Sequence, residues 1–142
     1  MKIGYRILIF EIESSFHQNW RRTSFIGIYR RRIVFNIYVS NTDDHLRNHG
    51  FLLTNQGWIL SPAYDINPIE TGIGLKLNIS ENDNALNLDL ALEVAPFFRV
   101  SQPKAKRITE EIKEVVSTWQ MVANKYKIGR NEQEMISRAF MQ

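Results

Sequence analysis

No cysteine occurs among the 142 residues. Its absence excludes disulfides, thiolate metal ligands and a cysteine nucleophile together, and a reducing compartment is the expected setting. Long hydrophobic runs are also missing: none approaches the roughly 18 residues that a membrane-spanning helix needs. The apolar start IGYRILIFEI is broken by Arg6 and Glu11, which argues against a signal peptide. A cytoplasmic protein without membrane contact is expected. Internal repeats and low-complexity segments are lacking. Charge of one sign barely dominates, with 18 Lys and Arg against 15 Asp and Glu, a net charge of +3. The early arginines Arg21, Arg22, Arg30, Arg31 and Arg32 could contact phosphates. They read better as a solvated surface, and direct nucleic-acid binding is not expected.

What is present suffices for one domain with a real core. Apolar residues make up 44% and include 8 Phe, 5 Tyr and 3 Trp. Residues 1–30 hold neither a period of 2 nor one of 3.6 for long, and SSFHQNWRRTS reads as a loop, so this segment is left unassigned. From residue 31 the pattern sharpens. Ile33, Val34, Ile37 and Tyr38 recur at helical spacing, which predicts a largely buried helix in RRIVFNIYVS, although the β-branched content leaves a strand open. A polar loop follows at 41–49, which Gly50 helps to close. FLL and WIL, separated by Thr54-Asn55-Gln56-Gly57, predict a hairpin with Gly57 at positive φ.

Ser61-Pro62 ends the second strand, and Pro68 breaks the chain again. IETGIGLKLNIS reads as an extended connection with a short strand at 75–79. Its Gly72 and Gly74 are not followed by GK[ST] and make no phosphate loop. LDLALEVAPFF predicts a helix that Pro96 kinks or ends. Ile108, Ile112, Val115, Val116, Trp119, Val122 and Tyr126 form a stripe that predicts one helix over 104–126, stopped by Gly129. Asn131 is the expected cap of a last helix. The fold class is α+β, mainly α.

The polar loop NTDDHLRNH packs chemistry into nine positions. His45 and His49 stand four apart, but no Glu lies between them as in helical zinc proteases, and Arg47 opposes a metal there. His49 is expected to be solvated or capping. Asp43 and Asp44 are neighbours and point different ways, which does not suit glycoside hydrolysis. Phosphoryl transfer asks for a carboxylate to accept the hydroxyl proton, an amide for one Mg²⁺, and a second metal-binding carboxylate on a separate loop. The catalytic-loop signature spaces Asp and Asn by four residues. Asp43 and Asn48 meet that spacing, Asp44 does not and is expected to be solvated, and Asp65 follows beyond the hairpin in the frame AYD.

The stretch VFNIYVSNTDDHLRNHGFLLTNQGWILSPAYDINP resembles the catalytic core of HipA-like serine/threonine kinases, the toxins of bacterial toxin–antitoxin modules. Thr42-Asp43-Asp44-His45-Leu46-Arg47-Asn48 is similar to the family's TD-x-H-x-[KR]-N loop. Leu60-Ser61-Pro62-Ala63-Tyr64-Asp65 is similar to its L-[ST]-P-x-YD element. The resemblance covers residues 31–142 and implies the C-lobe of a protein-kinase-like fold, with residues 1–30 a divergent N-terminal segment. It implies Asp43 as catalytic carboxylate, His45 as a loop organiser, Arg47 near the phosphates, and Asn48 and Asp65 as Mg²⁺ ligands. Mg²⁺ and ATP are the implied cofactors and protein Ser/Thr the implied substrate, which in some members is an aminoacyl-tRNA synthetase.

About 42 residues precede Asp43, too few for the strand-rich first lobe whose loop and Lys hold the nucleotide phosphates. The expectation is a C-terminal half, inactive alone, that is completed by a separate N-terminal lobe subunit or bound by a HipB-like antitoxin. The alternative expectation is a non-catalytic remnant or partner-binding module.

Overall fold

The computed structural model of the protein describes residues 25–55 and 57–140, with side chains from residue 31 onward except at 56. The loop expected at SSFHQNWRRTS, and the side chains of Arg21, Arg22 and Arg30, lie outside the described residues. Helix α1, Phe25–Tyr38, runs through the middle of the fold. Residues 32–40 are all buried, so from Arg32 onward this helix is enclosed all round rather than on one stripe, as a central helix must be. That is why its sequence left helix and strand both open. Of the early arginines, Arg31 and Arg32 are not the solvated surface that was expected. Arg32 is buried, and Arg31 donates from Nη2 to Glu111 on a neighbouring helix at 3.0 Å.

The end of α1 aims the polar loop. Ser40 takes a left-handed conformation with φ 48°. Its N–H donates to Ile37 O at 3.2 Å, and the Asn41 N–H donates to Asn36 O at 2.8 Å. These are the paired bonds of a Schellman cap, in which a left-handed residue turns the chain off the helix axis. Glycine usually fills that place; here serine does. A single 3₁₀ turn, Leu46–Asn48, then leads into strands β1, Phe51–Thr54, and β2, Gly57–Leu60. They pair antiparallel, with Phe51 opposite Leu60 and Thr54 opposite Gly57. Gly57 has φ 104°, the positive value that its place in the turn predicted.

Residues 61–87 cross the face of α1 without a regular element. The strand expected at 75–79 is a correction: one isolated bridge, Gly74 to Ala85, replaces a ladder. The chain turns back too soon for more, since the Ile79 and Ser80 N–H groups both donate to Asp83 O, at 2.8 and 3.1 Å. Leu75 and Ile79 are nonetheless buried.

Helix α2, Leu88–Glu93, starts where Asn87 Oδ1 accepts from the Asp89 and Leu90 N–H groups, as an N-cap amide should. Pro96 then imposes a 3₁₀ turn, Ala95–Phe98. Helix α3, Gln102–Ser117, buries Ala105, Ile108, Thr109, Ile112 and Val116 on one face. The single helix expected over 104–126 breaks at Thr118. There the Ser117 and Thr118 hydroxyls donate to the carbonyls three residues back, at 2.6 and 2.7 Å, competing with the helical bonds. Helix α4, Trp119–Lys125, follows. Its closing left-handed residue is Lys127, with φ 55°, not Gly129. Gly129 instead occupies the N-cap of α5, Arg130–Ser137, where Asn131 was expected.

The core gathers α1 against α3, with α2, the 3₁₀ turn after it, and α4 closing the sides. Trp119 and Phe140 stack at 4.8 Å to fasten the last helices. The fold is mainly helical with one small antiparallel sheet, the α+β class that was expected. No described helix is long and apolar enough to cross a membrane.

Candidate functional site

Asp43 stands at the mouth of the polar loop with its side chain 44% exposed. Its Oδ1 accepts from Lys76 Nζ at 2.7 Å. That hydrogen bond, with the Lys76 charge behind it and smaller contributions from His45 and Arg47, holds the Asp43 carboxyl below its ordinary 3.8. Asn48 is buried beneath it and donates from Nδ2 to Asp43 O at 3.5 Å. Its amide oxygen accepts no hydrogen bond among the described residues. His45 shapes the loop through its backbone, where its O accepts the Asn48 N–H at 2.8 Å. Its Nδ1 is buried without a partner among the described residues. Arg47 is exposed, and its carbonyl accepts from the Tyr64 hydroxyl at 2.7 Å.

The expectation for Asp44 and His49 needs correcting. Neither is solvated: their side chains are 13% and 8% exposed and lie 3.1 Å apart. Arg32 can only donate, so its Nη1, 3.4 Å from His49 Nδ1, assigns the ring proton to Nε2, which faces Asp44. Arg32 also donates from Nη2 to Ser61 O at the end of β2. One arginine of α1 thereby joins the hairpin to the loop. The two carboxylates diverge as neighbours do, and the one that fails the kinase spacing is the one turned inward.

From Asp44 a line of amides runs through the core. Asn36 Nδ2 donates to Asp44 Oδ2 at 2.7 Å, Asn41 Nδ2 to Asn36 Oδ1 at 3.0 Å, and the Asn67 N–H to Asn41 Oδ1 at 3.0 Å. Asn36 and Asn41 are both buried. Each donor and acceptor is used in the same sense, so the bonds polarise one another and fix each amide's orientation. The far end is the loop of Asp65, which is also tied to α1 by Ile69 N–H donating to Ser40 O at 3.1 Å.

Asp65 has φ 58°, one of four non-glycine residues at positive φ among those described. Ser40, Arg99 and Lys127 share that feature because they close helical turns: the N–H after each reaches back five residues, to Asn36, Ala95 and Ala123. Asp65 closes no helix. Left-handed backbone without such a reason concentrates at functional sites. The Asp65 carboxylate is exposed and accepts from Asn67 Nδ2 at 3.1 Å. Asn67 Oδ1 is left without a partner among the described residues.

These placements bear on a metal. Among the described residues, no three His, Asp or Glu side chains gather as a metal site. A nucleotide-bound Mg²⁺ asks for less: one or two protein oxygens, the remainder coming from phosphates and water. The amide oxygen of Asn48, which accepts no hydrogen bond among the described residues, and an exposed carboxylate at Asp65 suit that requirement.

Arg32, Asn36, Asn41, Asp44, His49 and Lys76 were not among the expected site residues. Asn36 had a readable signal, since it stands alone within an apolar run. Lys76 had none, because its partner lies 33 residues away.

A family model described as the HipA-like C-terminal domain matches residues 12–119. No curated protein and no solved structure matches the chain.

Proposed function

The chain belongs to the HipA-like C-terminal domain family, and from that premise we propose that it is the catalytic lobe of a serine/threonine protein kinase, acting as a toxin held by an antitoxin partner. One observation carries the reading. The Asp43–Asn48 loop and the left-handed Asp65 loop are fastened to opposite ends of one buried amide line.

In the proposed reaction Asp43 accepts the proton of a substrate Ser or Thr hydroxyl. The hydroxyl oxygen bonds to the γ-phosphorus of ATP, the bond from that phosphorus to the bridging oxygen breaks, and ADP leaves. Asn48 and Asp65 would hold Mg²⁺, which supplies charge neutralisation when bound. Arg47 would approach the phosphates, and His45 would keep the loop in shape. A first lobe that covers the phosphates is proposed to complete the site.

The test is ATP-dependent phosphorylation of a protein substrate by the chain supplied with such a lobe. Asp43→Asn is expected to lower transfer by about 10²–10⁴-fold, the range for a general base. Unchanged transfer would end the assignment.

A second reading, a non-catalytic partner-binding module, is favoured by the hairpin. Phe51, Leu53 and Trp58 on one face of the hairpin and Leu52 and Ile59 on the other are all exposed, and large apolar side chains exposed together on one element mark an interaction surface. Calorimetry with ATP and Mg²⁺ separates the two readings. Binding tighter than about 1 mM, roughly −4 kcal/mol, supports the kinase, and its absence supports the module.

A further inference from the structure

The connection between Asp65 and α2 meets the polar loop at Gly72 and at Lys76, and is braced between them at Leu75. Gly72 lies so close to Thr42 that an added Cβ would stand 2.3 Å from Thr42 Cγ2, so only glycine fits there without displacing the residue next to Asp43. Leu75 is buried, and its backbone is held on both sides: its N–H donates to Asn84 O at 2.8 Å, and its O accepts from Asn84 Nδ2 at 2.6 Å. Lys76 follows directly on that anchor, and its Nζ meets Asp43 Oδ1 at 2.7 Å. The lysine side chain is 59% exposed, but the backbone that carries it is not free to wander.

We propose that Lys76 is a positioning residue for Asp43, holding Oδ1 so that Oδ2 is presented to the substrate hydroxyl. A carboxylate with one oxygen engaged by a cation has its plane fixed, and proton transfer depends on such geometry before anything else. The titratable and charged groups facing Asp43 are Lys76, His45 and Arg47. Of these, Lys76 makes the direct bond, and the Arg47 guanidinium makes no ion pair among the described residues. The role in phosphoryl transfer rests on the kinase reading; the pairing itself does not.

The experiment follows the Asp43 carboxyl carbon by NMR during a pH titration of the full chain, with Asp43→Asn assigning the signal. Lys76→Met is expected to move the midpoint upward, Lys76→Arg to leave it near the wild-type value, and neither to alter the unfolding midpoint. In the completed kinase, Lys76→Met is expected to lower kcat about tenfold, a modest share of a general base's effect, while KM for ATP stays unchanged and Lys76→Arg restores the rate. An unmoved Asp43 midpoint overturns the pairing. Loss of folding in Lys76→Met overturns it too, because a half-exposed pair carries little stability. A rise in KM for ATP at constant kcat overturns positioning in favour of phosphate binding. A moved midpoint with no transfer by the wild type supports the pairing, and overturns the kinase reading together with the catalytic half of this one.

Discussion

Single residues set the sharpest expectations. Asp44 is the acceptor that both Asn36 and His49 are aimed at, so Asp44→Ala strands two buried donors. A loss of about 1–3 kcal/mol is expected, measured by denaturant unfolding. Asp43→Ala should cost far less stability, because that carboxylate is half-exposed. The pH response of Asp43 has a definite sign. Its carboxyl is held below 3.8 in the folded protein, first by Lys76, so it favours folding above that value and the benefit disappears as pH falls through the lowered one. For catalysis the same shift means that the acid limb of the pH–rate profile, read from kcat/KM, should lie below pH 3.8 if Asp43 alone governs it. The spacing of Asp43 and Asn48 was legible because it is local, and in the structure Asn48 Nδ2 lies 3.5 Å from Asp43 O. The inward turn of Asp44 was not, since it depends on partners from α1, whose orientation no nine-residue window encodes.

At the scale of elements, the left-handed residues that close helices stand apart from Asp65, which closes none. Ser40 uses its backbone to close α1, and its side chain makes no hydrogen bond among the described residues. Ser40→Gly should therefore raise stability, by up to about 1 kcal/mol where relief of backbone strain outweighs the added chain entropy, visible as a higher Tm. Asp65→Gly relaxes the same kind of backbone but removes the carboxylate proposed for Mg²⁺. It should hold or raise Tm while weakening Mg²⁺-dependent ATP binding, a divergence that calorimetry can read. The hairpin is the other element with a clear expectation. Leu53 and Trp58 face each other across it and are each 68% exposed, so replacing both with Ser should leave Tm unchanged and reduce partner association in pull-down or sedimentation. The hairpin was readable from FLL, WIL and Gly57. The break at Thr118 was not, because the apolar stripe runs straight through it and two hydroxyls decide the outcome.

For the whole molecule, the core is a central helix wrapped by others rather than a set of amphipathic layers. Ile112 on α3 is fully buried, and Ile112→Ala should cost about 2–5 kcal/mol, a large part of the stability that a domain of this size has. The helical stripe that places Ile112 was plain in the sequence. The burial of α1 on every side from Arg32 onward was less so, because a helix enclosed on all sides loses the periodicity by which helices are recognised. Long-range pairings such as Arg31 with Glu111 exist only once the chain has closed on itself, and they lay beyond reach for that reason.

The amide line gives the two halves of the site a common mechanical fate. Asn36 and Asn41 belong to α1 and its cap, and each loop hangs from one of them. A rotation of α1 by one notch would unseat both loops together, while a disturbance confined to one loop would meet a helix locked on every side. A substitution that breaks the line at Asn36 or Asn41 should therefore be felt at both loops and not at one.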